Sequence, residues 1–147
     1  MVHRRAGRVL LVDASGRVLL LTGRDPLAPS AGTWWFTPGG GIELGESPAE
    51  AAARELGEET GLQVGPDALG PRVHTRVARF GWGHDDYVQH EEFFLLRVEA
   101  HDVDTSGFTE VERASVTGHR WWSLDALAAT DEVVHPGDLL AVLERAL

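Results

Sequence analysis

Three glutamates near the middle of the chain have the type and spacing of a metal site. Glu58 and Glu59 follow Glu55 by three and four positions, so on a helix all three side chains share one face, about 5–6 Å apart. Like charges at this spacing repel each other by roughly 0.2–0.5 kcal/mol per pair. Mg²⁺ binds through a few carboxylates together with substrate phosphates. The cluster is therefore either a solvated acidic face or half of a site for a divalent cation and a phosphate-bearing substrate.

A helix with recognisable ends must position these glutamates. Ser47 begins the segment Ser-Pro-Ala-Glu, which offers an N-cap hydroxyl, a proline at the first helical position and the glutamate of a capping box. Gly61 suits the left-handed turn that ends many helices, and Leu62 is then expected to fold back onto Leu56. The sequence predicts a helix from Ser47 to Gly61 with the glutamates in its second half.

The spacing around this helix distinguishes it from an arbitrary acidic helix. Five residues separate Gly40 from Glu46, and seven more lead to the run from Arg54 to Leu62, which reads RELGEETGL. This stretch, Gly40 to Leu62, resembles the Nudix box at every specified position. The resemblance identifies the chain as a member of the Nudix hydrolase family and favours the metal site over the solvated face.

The resemblance also implies roles for the helix glutamates. In this family they hold one or more divalent cations, so Glu55, Glu58 and Glu59 are the expected ligands, together with the backbone carbonyl of Gly40. The expected ion is Mg²⁺, with Mn²⁺ as a substitute. Glu55 or Glu58 is expected to act also as the catalytic base.

The remaining residues of the box are expected to support these ligands. The resemblance implies that Arg54 is a catalytic-site residue that orients the neighbouring carboxylate by a charge-assisted hydrogen bond, and that Glu46 is a structural acid. Gly39 and Gly41 flank the carbonyl ligand at Gly40. Without side chains they let the backbone approach phosphate or metal, so we expect them to contact the substrate.

A further carboxylate is expected outside the box. The segment from His101 to Gly118 is polar, has no clear period and carries Glu110 and Glu112, so we predict a long loop, a feature often functional in compact domains. Nudix proteins commonly supply one more metal ligand or base from a distal loop. The resemblance therefore implies Glu112 or Glu110 in this role.

A second candidate for the extra ligand or base lies in a strand. Glu91 and Glu92 are adjacent in the apolar segment from Tyr87 to Val98, so they face opposite sides of a sheet. A carboxylate buried in a strand requires an ion pair or a metal. We favour Glu92, because Phe94 and Leu96 share its face.

Aromatic and basic residues before the box are candidates for substrate binding. Trp34 and Trp35 belong to a short aromatic strand and must point to opposite sides. One is expected in the core, and the other is free to stack on a nucleobase, although core packing of both is an alternative. Arg24 begins a loop at the expected mouth of the site, where it either contacts a substrate phosphate or is solvated.

The order of elements predicts an α/β fold. The apolar runs from Gly7 to Leu21 predict two strands joined by a hairpin and covered on both faces. Further strands and helices are predicted over Arg72–Trp82, Tyr87–Val98, Arg120–Trp122, Ser123–Ala129 and Pro136–Leu147, the last with a stripe of Leu139, Leu140, Leu143 and Leu147. We predict a single Nudix domain over residues 1–147, a Nudix-type α/β/α sandwich with a mixed β-sheet between helices.

Composition restricts the partners. A formal net charge of −10 argues against a general nucleic-acid polymer as partner, because nonspecific binding to polyanions depends on lysine and arginine. No apolar run is long enough to span a membrane. The chain has no cysteine, which fits a cytoplasmic location. We expect a small-molecule nucleotide substrate, and a homodimer is plausible for the family.

The predicted reaction is metal-dependent hydrolysis of a phosphoanhydride bond in a nucleoside diphosphate linked to another group. The position fifteen residues after Leu62 is Val77, whereas ADP-ribose hydrolases of this family often have proline there. We therefore favour a nucleoside triphosphate pyrophosphohydrolase. The alternatives are an ADP-ribose or nucleotide-sugar pyrophosphatase, and a non-catalytic module of the same fold that senses nucleotides.

Overall fold

The structure is a computed structural model that describes Met1 to Leu147. Its strands are β1 (Val2–Val12), β2 (Val18–Gly23), β3 (Trp34–Phe36), β4 (Gly39–Gly41), β5 (Arg72–Trp82), β6 (Asp85–Arg97), β7 (Val116–Trp122) and β8 (Val134–His135). Its helices are α1 (Pro48–Thr60), α2 (Glu110–Ser115), α3 (Leu124–Ala129) and α4 (Leu139–Ala146). Short 3₁₀ turns lie at Pro29–Ala31 and Pro66–Leu69.

All eight strands form one mixed sheet. The main order is β5-β6-β1-β2-β3-β8, with β4 paired to β1 and β7 paired to β2. β1 runs parallel to β6 over its whole length, from Val2 opposite Tyr87 to Val12 opposite Arg97. Along its other edge β1 pairs with β2 only at Val12 and Val18, and it pairs with β4 over residues 6–8. The glycines of β4 are therefore held beside β1 rather than in a free loop.

The core occupies both faces of this sheet, which confirms the predicted sandwich. Val9 and Leu11 of β1 pack with α1, whereas Leu10 and Val12 pack with α4. All four are at most 2% exposed. The continuous apolar runs arise because successive side chains of a strand enter opposite cores.

Helix α1 has the ends that the sequence predicts. Ser47 Oγ accepts a hydrogen bond from Glu50 N at 3.1 Å, and Glu50 Oε1 accepts one from Ser47 N at 3.0 Å. Such a cap stabilises a helix by about 1 kcal/mol. At the other end Gly61 has φ of 77°, and Leu62 joins the core cluster of Leu56. Both ends of the helix that carries the glutamates are therefore fixed by local contacts.

The predicted long loop over His101–Gly118 is wrong in part. It contains α2, and β7 already begins at Val116. The signal was a second capping box, in which Thr109 Oγ1 accepts from Glu112 N at 3.2 Å and Glu112 Oε1 accepts from Thr109 N at 2.9 Å. A helix of six residues has no visible period, so only its cap could reveal it.

The C-terminal helix is shorter than predicted. It begins at Leu139, and its buried side chains are Leu139, Val142 and Leu143. Leu147 is 42% exposed, so the predicted leucine stripe does not extend to the last residue. None of the four helices has the length and apolar character needed to cross a membrane.

Candidate active site

The candidate metal site combines side chains from two helices. Glu55 and Glu58 project from the second half of α1, and Glu112 projects from α2. One carboxylate oxygen from each lies within 4.8 Å of the others. All three side chains are half-buried. Oxygen ligands grouped in this way suit a hard divalent cation that also contacts a substrate.

Arg54 holds the acidic cluster together. Its guanidinium donates to Glu46 Oε2 at 2.8 Å and Oε1 at 3.0 Å, which is a bidentate pair. It also donates to Glu55 at 3.1 Å, to Glu58 at 3.4 Å and to the backbone carbonyl of Gly41 at 3.0 Å. The hydrogen bond with Glu46 is the largest of the effects that raise the pKa of Arg54. Arg54 therefore occupies the position in which it can orient both carboxylates and the glycine segment.

Glu59 connects the helix to the glycine segment. Its side chain is 3% exposed, and its Oε1 accepts a hydrogen bond from Gly39 N at 2.7 Å. Gly40 lies so close to Glu55 that a Cβ atom added at Gly40 would be 2.6 Å from the Glu55 carboxylate. Glu59 does not belong to the group of Glu55, Glu58 and Glu112, so its role as a metal ligand stays a prediction.

The electrostatics of the cluster favour proton or cation binding. Burial, followed by the charges of Glu58 and Glu112, raises the pKa of Glu55 to about 7 against the opposing effect of Arg54. Burial, followed by the charge of Glu55, also raises the pKa of Glu59 well above its usual range. A nearby cation would lower both pKa values. Without a cation, ionisation of these buried carboxylates therefore lowers the stability of the folded protein.

The cluster opens into a cavity of about 490 Å³, within the usual range for small-molecule sites. The glycines of β4 and the glutamates form one wall, and Trp34, Phe36, Phe80 and Trp82 line it elsewhere. The rings of Trp34 and Trp82 meet edge to face with centroids 6.3 Å apart. The cavity therefore combines an acidic wall with flat aromatic surfaces.

A buried ion-pair network lies in the floor of the cavity, on β1, β5 and β6. Glu91 is 3% exposed and accepts from Arg8 Nε at 2.8 Å, while Arg76 Nη1 lies 3.1 Å from its other oxygen. Gln89 Nε2 also donates to Glu91, at 2.8 Å. Burial acts to raise the pKa of Glu91, but Arg8, Arg76 and Gln89 together lower it below its usual value. Glu91 is therefore a charged structural acid, with Oε2 hydrogen-bonded to Arg8 and Gln89 and Oε1 beside the Arg76 guanidinium.

Three arginines that line the cavity have no carboxylate partner. They are Arg4, Arg24 and Arg79, and no ion pair involves them. Burial, followed by the charge of Arg8, lowers the pKa of Arg4, although a guanidinium stays charged in proteins. These groups are available to an anionic ligand.

Four of the predicted site residues do not line the cavity. Arg54 is one of them, and it contacts the cavity residues Glu55 and Glu58. Glu92 shares a sheet face with Phe94 as predicted, but Arg72 at 2.8 Å and Arg5 at 3.5 Å hold it there. Trp35 packs edge to face on Trp122 in the core. Glu110 is exposed on α2 and does not line the cavity. Of the predicted alternatives, the structure places Trp34 and Glu112 at the cavity, and we leave Glu92 out of the site that we propose.

Several cavity residues are not among the predicted site residues. Gln89 and Glu91 alternate along β6 and face the cavity with Arg4 and Arg8 of β1. The available signal was polar residues at every second or fourth position in otherwise apolar strands. The apolar character of the shared face favours Glu92 over Glu91, but Glu92 belongs to a surface ion pair and Glu91 is the buried acid.

The chain resembles known proteins over most of its length. The family model described as "NUDIX domain" matches residues 1–143. An RNA pyrophosphohydrolase from Rhodospirillum rubrum is 31% identical over 133 residues, which covers 86% of this chain and 76% of that protein.

Solved structures agree with the observed fold. A MutT protein from Methanosarcina mazei superposes with a TM-score of 0.70 at 23% identity, covering 97% of this chain and 91% of the other. The E. coli dihydroneopterin triphosphate pyrophosphohydrolase superposes with a TM-score of 0.63 at 23% identity, covering 99% and 97%. At these identities the likeness concerns the fold.

Proposed function

The chain belongs to the Nudix hydrolase family, which acts on pyrophosphate bonds, and from this premise we propose that it is a Mg²⁺-dependent nucleoside triphosphate pyrophosphohydrolase. One observation carries the proposal. Carboxylates from α1 and α2 converge within 4.8 Å of one another in the same cavity that holds three unpaired arginines. A polyphosphate with its divalent cation complements both groups of charges.

The acidic cluster fits a divalent cation because its metal-binding atoms are carboxylate oxygens. The nearby positive side chains are too few to neutralise these carboxylates. Glu55, Glu58 and Glu112 would hold the ion, with Glu59 and the carbonyl of Gly40 as further proposed ligands. When bound, the ion supplies the positive charge that phosphoryl oxygens require as a phosphoanhydride bond breaks. Mn²⁺ is the proposed substitute, since it also prefers carboxylate oxygens.

The chain's own groups would perform the remaining tasks. Glu55, whose carboxylate converges with those of Glu58 and Glu112, is placed to accept a proton from an attacking water as a general base. Glu58 is the alternative base. Arg54 keeps both carboxylates oriented, while Arg4, Arg24 and Arg79 are placed to bind phosphate oxygens. Intact proton-accepting and metal-binding groups argue against a module that only senses nucleotides.

The aromatic surfaces support a nucleoside as the group attached to the phosphates. Trp34 lines the cavity, and a base can stack on such a ring. Gly39 and Gly41 stay in the proposed substrate contacts because both line the cavity beside the glutamates.

The names of related proteins suggest two kinds of substrate, a small-molecule triphosphate and RNA. One similar structure is called a dihydroneopterin triphosphate pyrophosphohydrolase, and the R. rubrum relative is called an RNA pyrophosphohydrolase. We favour free nucleoside triphosphates, since a net charge of −10 repels an RNA chain. The 5′ end of RNA is the second candidate, and ADP-ribose and nucleotide sugars follow. A cytoplasmic location, a single domain and a homodimer remain predictions.

A substrate panel tests this proposal. We expect Mg²⁺-dependent release of pyrophosphate from nucleoside triphosphates, with kcat/KM in the range of about 10⁴ M⁻¹s⁻¹ or higher. Triphosphorylated RNA, ADP-ribose and nucleotide sugars should react more slowly under the same conditions, with products resolved by chromatography. Faster hydrolysis of triphosphorylated RNA would transfer the proposal to RNA ends. Nucleotide binding without any hydrolysis would support the sensor alternative.

The two glutamates of α2 provide a matched pair of variants. We expect Glu112→Gln to lower kcat by about 10²-fold, because Glu112 lies within 4.8 Å of Glu55 and Glu58. Glutamine can still accept the hydrogen bond from Thr109 N that caps the helix. Glu110→Gln should leave kcat within about twofold of wild type. Steady-state kinetics that show equal effects of both substitutions would remove Glu112 from the site.

A further inference from the structure

The cavity floor contains a polar side chain that the proposed hydrolysis does not use. Gln89 is 3% exposed, lies in the middle of β6 and lines the cavity. Strand register places it opposite Arg4 of β1 and Ala78 of β5. The polar groups of a buried amide are expected to form hydrogen bonds. Both the amide nitrogen and the amide oxygen of Gln89 should therefore have a partner.

The orientation of the Gln89 amide follows from its partner. Glu91 is held in its charged form by Arg8 and Arg76, and a carboxylate can only accept hydrogen bonds. The Gln89 group that lies 2.8 Å from Glu91 Oε2 must therefore be the amide nitrogen. As a result, the carbonyl oxygen Oε1 points elsewhere, and its orientation cannot reverse without losing this bond.

The Gln89 oxygen is a free acceptor that faces the cavity. The bond to Glu91 is the one hydrogen bond that the Gln89 side chain makes. Three side-chain atoms are fully enclosed and form no hydrogen bond, namely Thr37 Oγ1, Glu91 Oε1 and Trp122 Nε1. Gln89 Oε1 is not one of them, so the oxygen of this cavity-lining residue is accessible from the cavity.

The surroundings of this oxygen define the group that it can bind. Arg4, Arg8 and Arg76 offer only donors, and both oxygens of Glu91 face guanidinium groups. Gln89 Oε1 is therefore the acceptor that the floor's side chains leave for a ligand. An anionic phosphate oxygen cannot donate a hydrogen bond to Gln89 Oε1, whereas a neutral N–H group can. Phe80 lies two residues from Ala78 on β5 and lines the same cavity, which suits a flat ligand.

We propose that Gln89 is a specificity-determining residue that accepts a hydrogen bond from the exocyclic amino group of the substrate's nucleobase. Glu91 is a positioning residue, because it fixes the amide in the accepting orientation. The inference rests on the proposed hydrolysis of nucleoside triphosphates and narrows its substrates to those with an amino-bearing base. A buried acceptor discriminates because a base without the donor leaves it unpaired.

Pairs of substrates that differ by one amino group test the inference. The pairs are ATP with purine riboside triphosphate and GTP with inosine triphosphate. In at least one pair, wild-type kcat/KM should favour the amino-bearing substrate by about tenfold or more. Gln89→Met should bring that ratio close to one, mainly through KM, because it removes both the hydrogen bond to the amino group and the unpaired acceptor that disfavours the substrate without one.

Matched controls separate this role from structural damage. Gln63→Met makes the same change at an exposed residue and should preserve the wild-type ratio. Gln89→Asn keeps the amide but withdraws it by one methylene, so it should also lower the ratio and serves if the Met variant does not fold. Melting temperatures report on folding independently of the ratio.

The outcomes distinguish the inference from the proposed function on which it rests. Hydrolysis of triphosphates with a ratio that Gln89→Met leaves unchanged would overturn the role of Gln89 and leave the proposed function standing. A variant that alters discrimination between ribose and 2′-deoxyribose but not between the paired bases would also overturn it. Absence of hydrolysis for every triphosphate would overturn the proposed function, and the inference with it.

Discussion

Replacing Glu58 with glutamine is expected to lower kcat by about 10³-fold while the fold remains intact. The side chain is one-third exposed and belongs to no core cluster, so the substitution removes charge without creating a cavity. Glutamine keeps an oxygen that can accept from Arg54, which now lies 3.4 Å from Glu58. What it loses is an anionic ligand for a divalent cation, or the base itself. Single-turnover kinetics with saturating Mg²⁺ would measure the loss in the chemical step.

An exposed glutamate on another helix supplies the control for this experiment. Glu144 lies on α4 outside the cavity, and Glu144→Gln should keep wild-type kcat. Isothermal titration with Mn²⁺ should show weaker binding to the Glu58 variant than to the control. If the Glu58 variant retains near-normal turnover and metal affinity, the assignment of the acidic cluster as the metal site is wrong.

The parts of the structure that follow from the sequence are those fixed by short-range rules. The cap at Ser47, the left-handed Gly61 and the spacing of Glu55 and Glu58 all depend on residues within a few positions of each other. The doubly covered strands could also be predicted, because an uninterrupted apolar run has few other uses in a small domain. In these segments local preference and tertiary packing agree.

The parts that could not be predicted depend on contacts between distant segments. Glu112 reaches the glutamates of α1 across more than fifty positions of sequence. No local pattern specifies that approach, so the family resemblance leaves Glu112 and Glu110 as alternatives. Glu91 and Glu92 are indistinguishable by type, and only the arrangement of Arg8 and Arg76 makes one of them the buried acid. Trp34 and Trp35 differ in the same way, because the neighbours of β3 decide which ring enters the core.

The same cluster that suits a cation should destabilise the protein without one. In the fold, burial, followed by the charges of Glu58 and Glu112, raises the pKa of Glu55 from 4.5 to about 7. Between these values the folded state binds more protons than the unfolded state, so stability falls as pH rises through this window. At pH 8 the metal-free fold bears the full cost of ionising Glu55, up to about 3 kcal/mol. Glu59 should add to this cost, since its pKa is also raised.

We therefore expect Glu55→Gln to stabilise the metal-free protein at pH 8 although it impairs catalysis. In the presence of EDTA, the free energy of unfolding of the variant should exceed that of wild type by up to about 3 kcal/mol at pH 8 and by little at pH 5. Mg²⁺ should reverse the order at pH 8, because a ligand stabilises the folded protein to which it binds. Urea denaturation at both pH values, with and without Mg²⁺, measures these differences, and Glu144→Gln again serves as the control. A Glu55 variant less stable than wild type at pH 8 in EDTA would show that Arg54 already neutralises the cluster, so that no cation is needed to relieve it.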